Sequence, residues 1–156
     1  MRCSWLSQQA AREELIIDGS GAILGRLATY VAKQLLSGKR VTIVNADKVA
    51  VSGDPVRLVY FYRRTILGVK VHLSEKWRPK RARSPQMLVR KAVRGMLPKN
   101  DKGKEAYSRL RVYVGVPKEL AGKNTTKLPS NMTVEKLTKS KYATLADIAR
   151  QLGWSR

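Results

Sequence analysis

The sequence predicts an α/β fold: a small, mostly parallel sheet sandwiched by helices, with an extended basic loop and a C-terminal tail. Three observations predict it. Two short apolar runs, Leu15-Ile16-Ile17-Asp18 and Val41-Thr42-Ile43-Val44, bracket a segment in which Ile23, Leu27, Val31 and Leu35 recur at helical spacing. Glycines punctuate both junctions, with Gly19-Ser20-Gly21 before the helical segment and Gly38 after it. A third β-branched run, Leu110 to Val114, follows further helical segments. Strand, helix and strand over about thirty residues form a βαβ unit, whose strands run parallel with a right-handed crossover.

Taken in order, Leu15 to Asp18 reads as a buried strand ended by the glycine turn, and Ala22 to Leu36 as a helix stopped at Gly38. Val41 to Val44 is the second strand. Gly53-Asp54-Pro55 opens a second helix, Pro55 to Arg64, because Asp can cap and Pro suits the first helical position. Ser84-Pro85 repeats that signal before a helix from Gln86 to Arg94. Asp101 to Arg109 is a short helical segment, and the strand Leu110 to Val114 ends at Gly115 and Pro117. Gly68 to Arg83 has clustered cations and no sustained period, so it reads as an extended loop with a short strand at Val69 to Leu73. Loops of that length in compact domains are usually functional. Ala121 to Ser140, rich in Lys, Thr, Ser and Asn, reads as extended, and a last helix from about Leu145 to Leu152 stops at Gly153. The expected organisation is an N-terminal extension over 1–14, an α/β domain over 15–120, and a C-terminal extension over 121–156 ending in a short helix. The two ends and the most basic segment read as loosely held.

Charge points to the partner. Between Pro55 and Asn100 stand thirteen Lys and Arg against one acid, Glu75, a net +12 out of a chain total of +21. Concentrating like charge opposes folding, and a polyanion relieves the repulsion. Apolar residues threaded between the cations argue for a folded binder rather than a tail, and the scarcity of acids argues against a merely solvated surface. The 156 residues suit a single domain with a real core, and 43% are apolar. The single cysteine, Cys3, has no partner for a disulfide or a zinc site, which fits a reducing compartment. The first fourteen residues lack the continuous apolar region of a signal peptide, and no window approaches the roughly 20 apolar residues of a membrane span. A cytoplasmic protein is expected.

Motifs that could carry other chemistry are few. Gly19 to Gly25 resembles a dinucleotide fingerprint with its third glycine one residue late, and Asp47 lies where a ribose-binding acid would sit. Backbone geometry alone also demands such a turn. Alternatively its amides hold an RNA phosphate at the helix N-terminus, with Arg26 in the first turn to help. Thr144 to Trp154 looks like the opening of a helix-turn-helix, but the second, reading helix does not follow, so a packing helix is expected. His72 is the only histidine, so no triad or histidine metal site can assemble, and no carboxylate pair has the local spacing for acid and base work. Trp77, among Lys76, Arg78 and Lys80, suits stacking on an unpaired base or packing over the loop. Tyr60 and Tyr62, two apart, cannot both face the core of one helix.

Val93-Arg94-Gly95-Met96-Leu97-Pro98, then Gly103-Lys104, then Leu110-Arg111-Val112-Tyr113-Val114-Gly115 resembles the signature of the L-thirteen family of large-subunit ribosomal proteins, in order and at the family's spacing. Gly25-Arg26-Leu27-Ala28 and Val44-Asn45-Ala46-Asp47 resemble it as well, so the likeness runs from Leu15 to Leu120. It departs over the first fourteen residues and from Thr65 to Trp77. Arg78-Pro79-Lys80-Arg81-Ala82-Arg83-Ser84-Pro85 is similar to the insertion of the archaeal and eukaryotic branch. The resemblance implies an α/β sandwich that is a structural part of the large subunit, binds its rRNA, supports assembly, meets neighbouring large-subunit proteins and catalyses nothing. No cofactor, metal, membrane or small-molecule substrate is expected.

The charge pattern adds how RNA would be held. Arg57, Arg63 and Arg64 form one helix face, a loop carrying Lys76, Trp77, Arg78, Lys80, Arg81 and Arg83 enters between RNA helices, and Arg90, Lys91, Arg94 and Lys99 line the next helix and its end, with Arg26 apart from them. Arginine forks suit phosphates that bring two strands together. A free RNA-binding regulator and a nucleotide-dependent enzyme built on the glycine turn are the competing readings.

Overall fold

The computed structural model describes residues 13–67, 83–126, 128–137 and 141–155. In chain order its regular elements are β1 (Glu14–Asp18), α1 (Leu24–Leu36), β2 (Arg40–Val44), β3 (Ala50–Ser52), α2 (Pro55–Leu67), α3 (Pro85–Met96), α4 (Asp101–Ser108), β4 (Leu110–Val112), β5 (Tyr142–Thr144) and α5 (Leu145–Gln151). Short 3₁₀ turns fall at Ala46–Lys48, Lys118–Leu120, Ser130–Met132 and Val134–Lys136. The mixed α/β class expected from the sequence is the class observed. The strand expected at Val69 to Leu73 lies outside the described residues.

The main sheet has the order β1-β2-β4 and is parallel throughout. Leu15 faces Val41 and Ile17 faces Ile43 in one register, and Val41 faces Leu110 in the next. Side chains alternate across such a sheet. One face sends Ile17, Val41, Ile43, Leu110 and Val112 into the core with Leu27, Val31 and Leu35 of α1. These three sit four apart, so they form one stripe, and all are fully buried. The other face carries Glu14, Arg40 and Arg111, all exposed, and Thr42, whose hydroxyl donates to the Glu14 carboxylate at 3.3 Å.

Two differences from the sequence reading have local causes. The first helix starts two residues later than expected. Ala22 and Ile23 are extended instead, because the Ala50 amide donates to the Ala22 carbonyl (2.8 Å) and the Ile23 amide to the Met132 carbonyl (2.9 Å). The strand expected to reach Val114 stops at Val112, where the chain leaves the ladder: Tyr113 still donates to Ile43, and Asn45 donates back to Gly115.

A second, two-stranded sheet was not legible in the sequence. β3 and β5 pair antiparallel, with Ala50 opposite Thr144. Each has three residues, too few for any periodicity to register. The pairing brings α5 onto the body, and its Leu145 and Ile148, with Leu152 just beyond, enter the same core as α1. Thr144 caps α5, its hydroxyl oxygen accepting from the Asp147 amide at 3.2 Å. The segment read as an extended tail is tied down where it is described: Thr126 donates to Ile16 (2.8 Å), and Val134 donates to Gly21 (2.9 Å). No helix among the described residues is long and apolar enough to cross a membrane.

Candidate nucleic-acid interface

α3 is amphipathic, and its polar face builds the first part of the site. Leu88, Val89 and Val93 are buried, while Lys91 and Arg94 are exposed and Arg90 is half-buried. Arg90 and Arg94, one turn apart, both approach the ring of Tyr107 on α4, their guanidinium carbons lying 5.1 Å and 5.9 Å from its centroid. Tyr107 thus fixes two cations that would otherwise repel each other. The buried Nε of Arg90 finds no acceptor among the described residues.

Beside this cluster lies a cleft of about 760 Å³ whose polar lining is Lys91, Arg94, Lys99, Lys104 and Tyr107, with no acidic side chain among the described residues. Lys104 is braced by Asp101 at 2.8 Å, a pair exposed to solvent. Gly103 closes the floor. A Cβ there would stand 1.9 Å from the Pro98 carbonyl oxygen, so only glycine lets α4 approach the Leu97-Pro98 turn. A second cleft, of about 510 Å³ on the outer sheet face, mixes Arg40, Arg109 and Arg111 with Glu14 and Glu119. With Lys123 its lining holds four cations against two acids, half the net charge of the α3–α4 cleft, so its pull on a polyanion is weaker.

α2 supplies a second cationic surface. Leu58, Val59 and Tyr62 pack toward the core, whereas Arg57, Arg63 and Arg64 point outward with Val56, Tyr60 and Phe61. Tyr62 is therefore the inward member of the tyrosine pair, and burial pushes its hydroxyl pKa up. Arg57 reaches Asp54 only at 4.0 Å.

The other expected contacts are placed differently. Arg26 donates to the Asn131 carbonyl at 2.5 Å, tethering the chain after Pro129 to the start of α1. Arg83 is exposed just before α3, close to Gly153 beyond α5. Lys99 lies in the cleft. Lys76, Trp77, Arg78, Lys80 and Arg81 lie outside the described residues.

The glycine turn is closed on itself. Gly19 donates to the Val44 carbonyl at 2.9 Å, and a Cβ there would meet Val49 at 2.9 Å. Gly21 has φ of 67°. Asp18 accepts from the Ser20 amide (3.0 Å), the Ser20 hydroxyl (2.9 Å) and the Asn45 side chain (2.9 Å), which holds Asn45 in the left-handed region. Burial acts to raise the Asp18 pKa, but those hydrogen bonds and the Lys48 charge outweigh it and the net shift is downward. Asp47 accepts from the Gly115 amide at 3.2 Å. Both acids are thus engaged by the protein's own amides, and geometry accounts for the glycines.

The family pattern described as "Ribosomal protein L13" matches residues 12–119. The chain belongs to that family. Among its relatives, the large ribosomal subunit protein uL13 of Aeropyrum pernix is 56% identical over 142 residues, 90% of each chain. The uL13 protein of Saccharolobus solfataricus is 40% identical over 152 residues, 96% of this chain and 99% of its own. That of Archaeoglobus fulgidus is 42% identical over 142 residues, covering 89% and 87%. All three are archaeal, in keeping with the branch that the insertion resembles.

Membership in the L13 family gives its signature residues physical roles here. Gly103 permits the close approach to Pro98, Gly115 turns the chain with φ of 73°, and Arg94 flanks Tyr107. Arg109, next to the signature, donates to the Leu35 carbonyl (3.1 Å) and pairs with Glu105 (2.8 Å), closing the end of α1 rather than facing a ligand. Sequence reasoning missed Lys104 and Tyr107, whose importance depends on a neighbouring helix. It also missed Phe61, for which a signal existed. The unbroken apolar and aromatic run from Leu58 to Tyr62, with Val56 just before it, exceeds what one helix stripe can bury.

Proposed function

We propose that this chain is a structural constituent of the large ribosomal subunit that binds large-subunit rRNA and supports assembly of the particle in the cytoplasm. One observation carries the reading beyond family membership: the acid-free cleft in which Lys91, Arg94, Lys99 and Lys104 surround Tyr107. Four cations converging on one concave surface suit closely spaced phosphates, and the arginine on the tyrosine ring is pre-aimed. Arg90 beside it, Arg57, Arg63 and Arg64 on α2, and Arg83 at the start of α3 extend the cationic surface. Arg26 and the loop residues Lys76, Trp77, Arg78, Lys80 and Arg81 join the proposal on their charge and sequence context. Such contacts read the shape of folded RNA rather than a linear sequence. Neighbouring large-subunit proteins are the other partners in this proposal, which the naming of the relatives as proteins of that subunit supports.

Salt dependence tests the reading. Each phosphate neutralised contributes roughly −0.7 to −0.9 to the slope of log affinity against log salt, so binding to large-subunit rRNA should show a slope steeper than about −3. Changing Lys91 and Arg94 to Glu should weaken binding and make the slope shallower. A slope near zero in the unaltered protein would remove the proposal. Sedimentation of the chain with large subunits through high salt separates a resident constituent from a free RNA-binding regulator.

A further inference from the structure

The outer face of α2 does not look like a surface meant for water. Val56, Tyr60 and Phe61 are 76%, 66% and 62% exposed, and Phe61 is the only phenylalanine of the chain. Exposing scattered apolar residues is ordinary, but Val56 and Tyr60 are neighbours one turn apart, and Phe61 widens the same outward side of the helix. The same face carries Arg57, Arg63 and Arg64, all exposed, and no acid falls between Pro55 and Arg64. The Phe61 ring has a partner closer to the core. Tyr62, packed against the core, meets Phe61 edge to face at 5.9 Å and 86°.

Resting on the reading of the chain as an rRNA binder, the geometry points to a base-stacking ledge, in which Tyr60 and Phe61 stack on unpaired bases of the RNA while Arg57, Arg63 and Arg64 hold the flanking phosphates. Charge complementarity decides the occupant. An apolar protein surface covering the rings would also have to desolvate three arginines without returning an acid to each, which is strongly unfavourable. A single-stranded RNA segment offers both partners at once, since every base has a π-face and every nucleotide a phosphate. A fully paired duplex offers only the phosphates, because its bases are already stacked. The ledge therefore selects loops, bulges and ends within the rRNA, and it works on a surface separate from the α3–α4 cleft.

The test compares the full-length chain with the variant Tyr60→Leu/Phe61→Leu, which keeps apolar bulk and removes both rings. Affinities are measured for large-subunit rRNA, for a single-stranded RNA dodecamer and for a blunt RNA duplex of the same length. Stacking is worth roughly 1 to 3 kcal/mol per base, so the leucine variant should lose about tenfold or more on the single strand and on rRNA. Its duplex affinity and its salt slope should stay as they were. Tyr60→Phe/Phe61→Tyr, which retains both rings, should bind as the unaltered chain does. Arg63→Gln/Arg64→Gln should instead lose on single strand and duplex alike, with a slope shallower by about 1 to 2. Unchanged single-strand affinity in the leucine variant, or equal losses on single strand and duplex, would overturn the ledge; the face would then belong to a protein neighbour or to the chain's own residues 68–82. If the double variant melts early, Phe61→Leu alone, which removes one exposed ring, is read against the same two substrates with the same outcomes. Failure of the unaltered chain to bind rRNA would sink the parent reading instead, a distinguishable result.

Discussion

α1 and α2 are both thirteen residues long, yet they are built for opposite tasks. α1 spaces its apolar residues so that Leu27, Ala28, Val31, Ala32 and Leu35 are all buried, and it presents no cation to the core. α2 has a contiguous apolar run, and from Pro55 to Arg64 none of its residues is buried. A periodic stripe can be covered by one neighbour, whereas a helix apolar on two sides needs a second. For α2 the first neighbour is the core reached through Leu58, Val59 and Tyr62, and among the described residues no second one covers Val56, Tyr60 and Phe61. Surplus apolar character beside surplus charge thus marks an interface, while apolar character in register marks a scaffold.

The largest effects should fall on the scaffold. Leu27→Ala removes a fully buried side chain where α1 meets the sheet and should cost about 2 to 5 kcal/mol by denaturant unfolding. A loss below about 1 kcal/mol would mean that α1 is no better packed than α2. Gly103→Ala comes next, since its Cβ must displace the Pro98 carbonyl; overpacking of that kind costs about 1 to 3 kcal/mol. Because α4 carries Tyr107, the same change should also open the cationic cleft and weaken RNA binding, which no substitution in α1 should do at equal stability.

How much of this was legible follows from what each feature depends on. The β1-α1-β2 unit was readable because a strand or a helix writes its own period, and Leu27, Val31 and Leu35 are spaced by the helix itself. β3 and β5 were not, because Ala50 to Ser52 and Tyr142 to Thr144 become strands only by meeting each other from distant parts of the chain. The binding surface divides in the same way. Cations on α2 and α3 are visible as charge density, and the structure brings Lys91, Arg94 and Lys99 to one cleft. Tyr107 was invisible because its role is set by Arg90 and Arg94 on another helix, and Lys104 was visible only as a signature residue, not as part of the cleft's lining. Arg26 was legible as a cation at the start of α1, but its bond to the backbone carbonyl of Asn131, far along the chain, was not.

A middle-sized effect is expected at the acid on the scaffold. Asp18 is held below the usual carboxylate range although burial opposes this, because the Asn45 and Ser20 hydrogen bonds and Lys48 together overcome it. A group whose folded pKa is depressed contributes stability above its unfolded pKa, near 3.9, and loses it as pH falls through the folded value. The melting temperature of the unaltered chain should therefore exceed that of Asp18→Asn at neutral pH, and the gap should narrow on acidification below about pH 4. A gap that stays constant would show that the turn holds Asp18 through shape rather than charge.

The smallest stability effect should come from the most drastic change of charge, on α2. Arg63→Glu/Arg64→Glu replaces two exposed cations that no acid of this helix accompanies, so it should shift unfolding free energy by no more than about 0.5 kcal/mol. The sign is informative. In a chain of net +21, two fewer cations and two more acids reduce self-repulsion, so the change should be neutral or slightly stabilising in low salt and vanish in high salt. RNA affinity should fall steeply in the same variant. Loss of stability comparable to that of Leu27→Ala would erase the distinction between the two helices, because it would show that Arg63 and Arg64 are satisfied within the protein. Stability retained with affinity lost would mean that these cations are held unpaired, against the interest of folding, for a partner that supplies the missing charge.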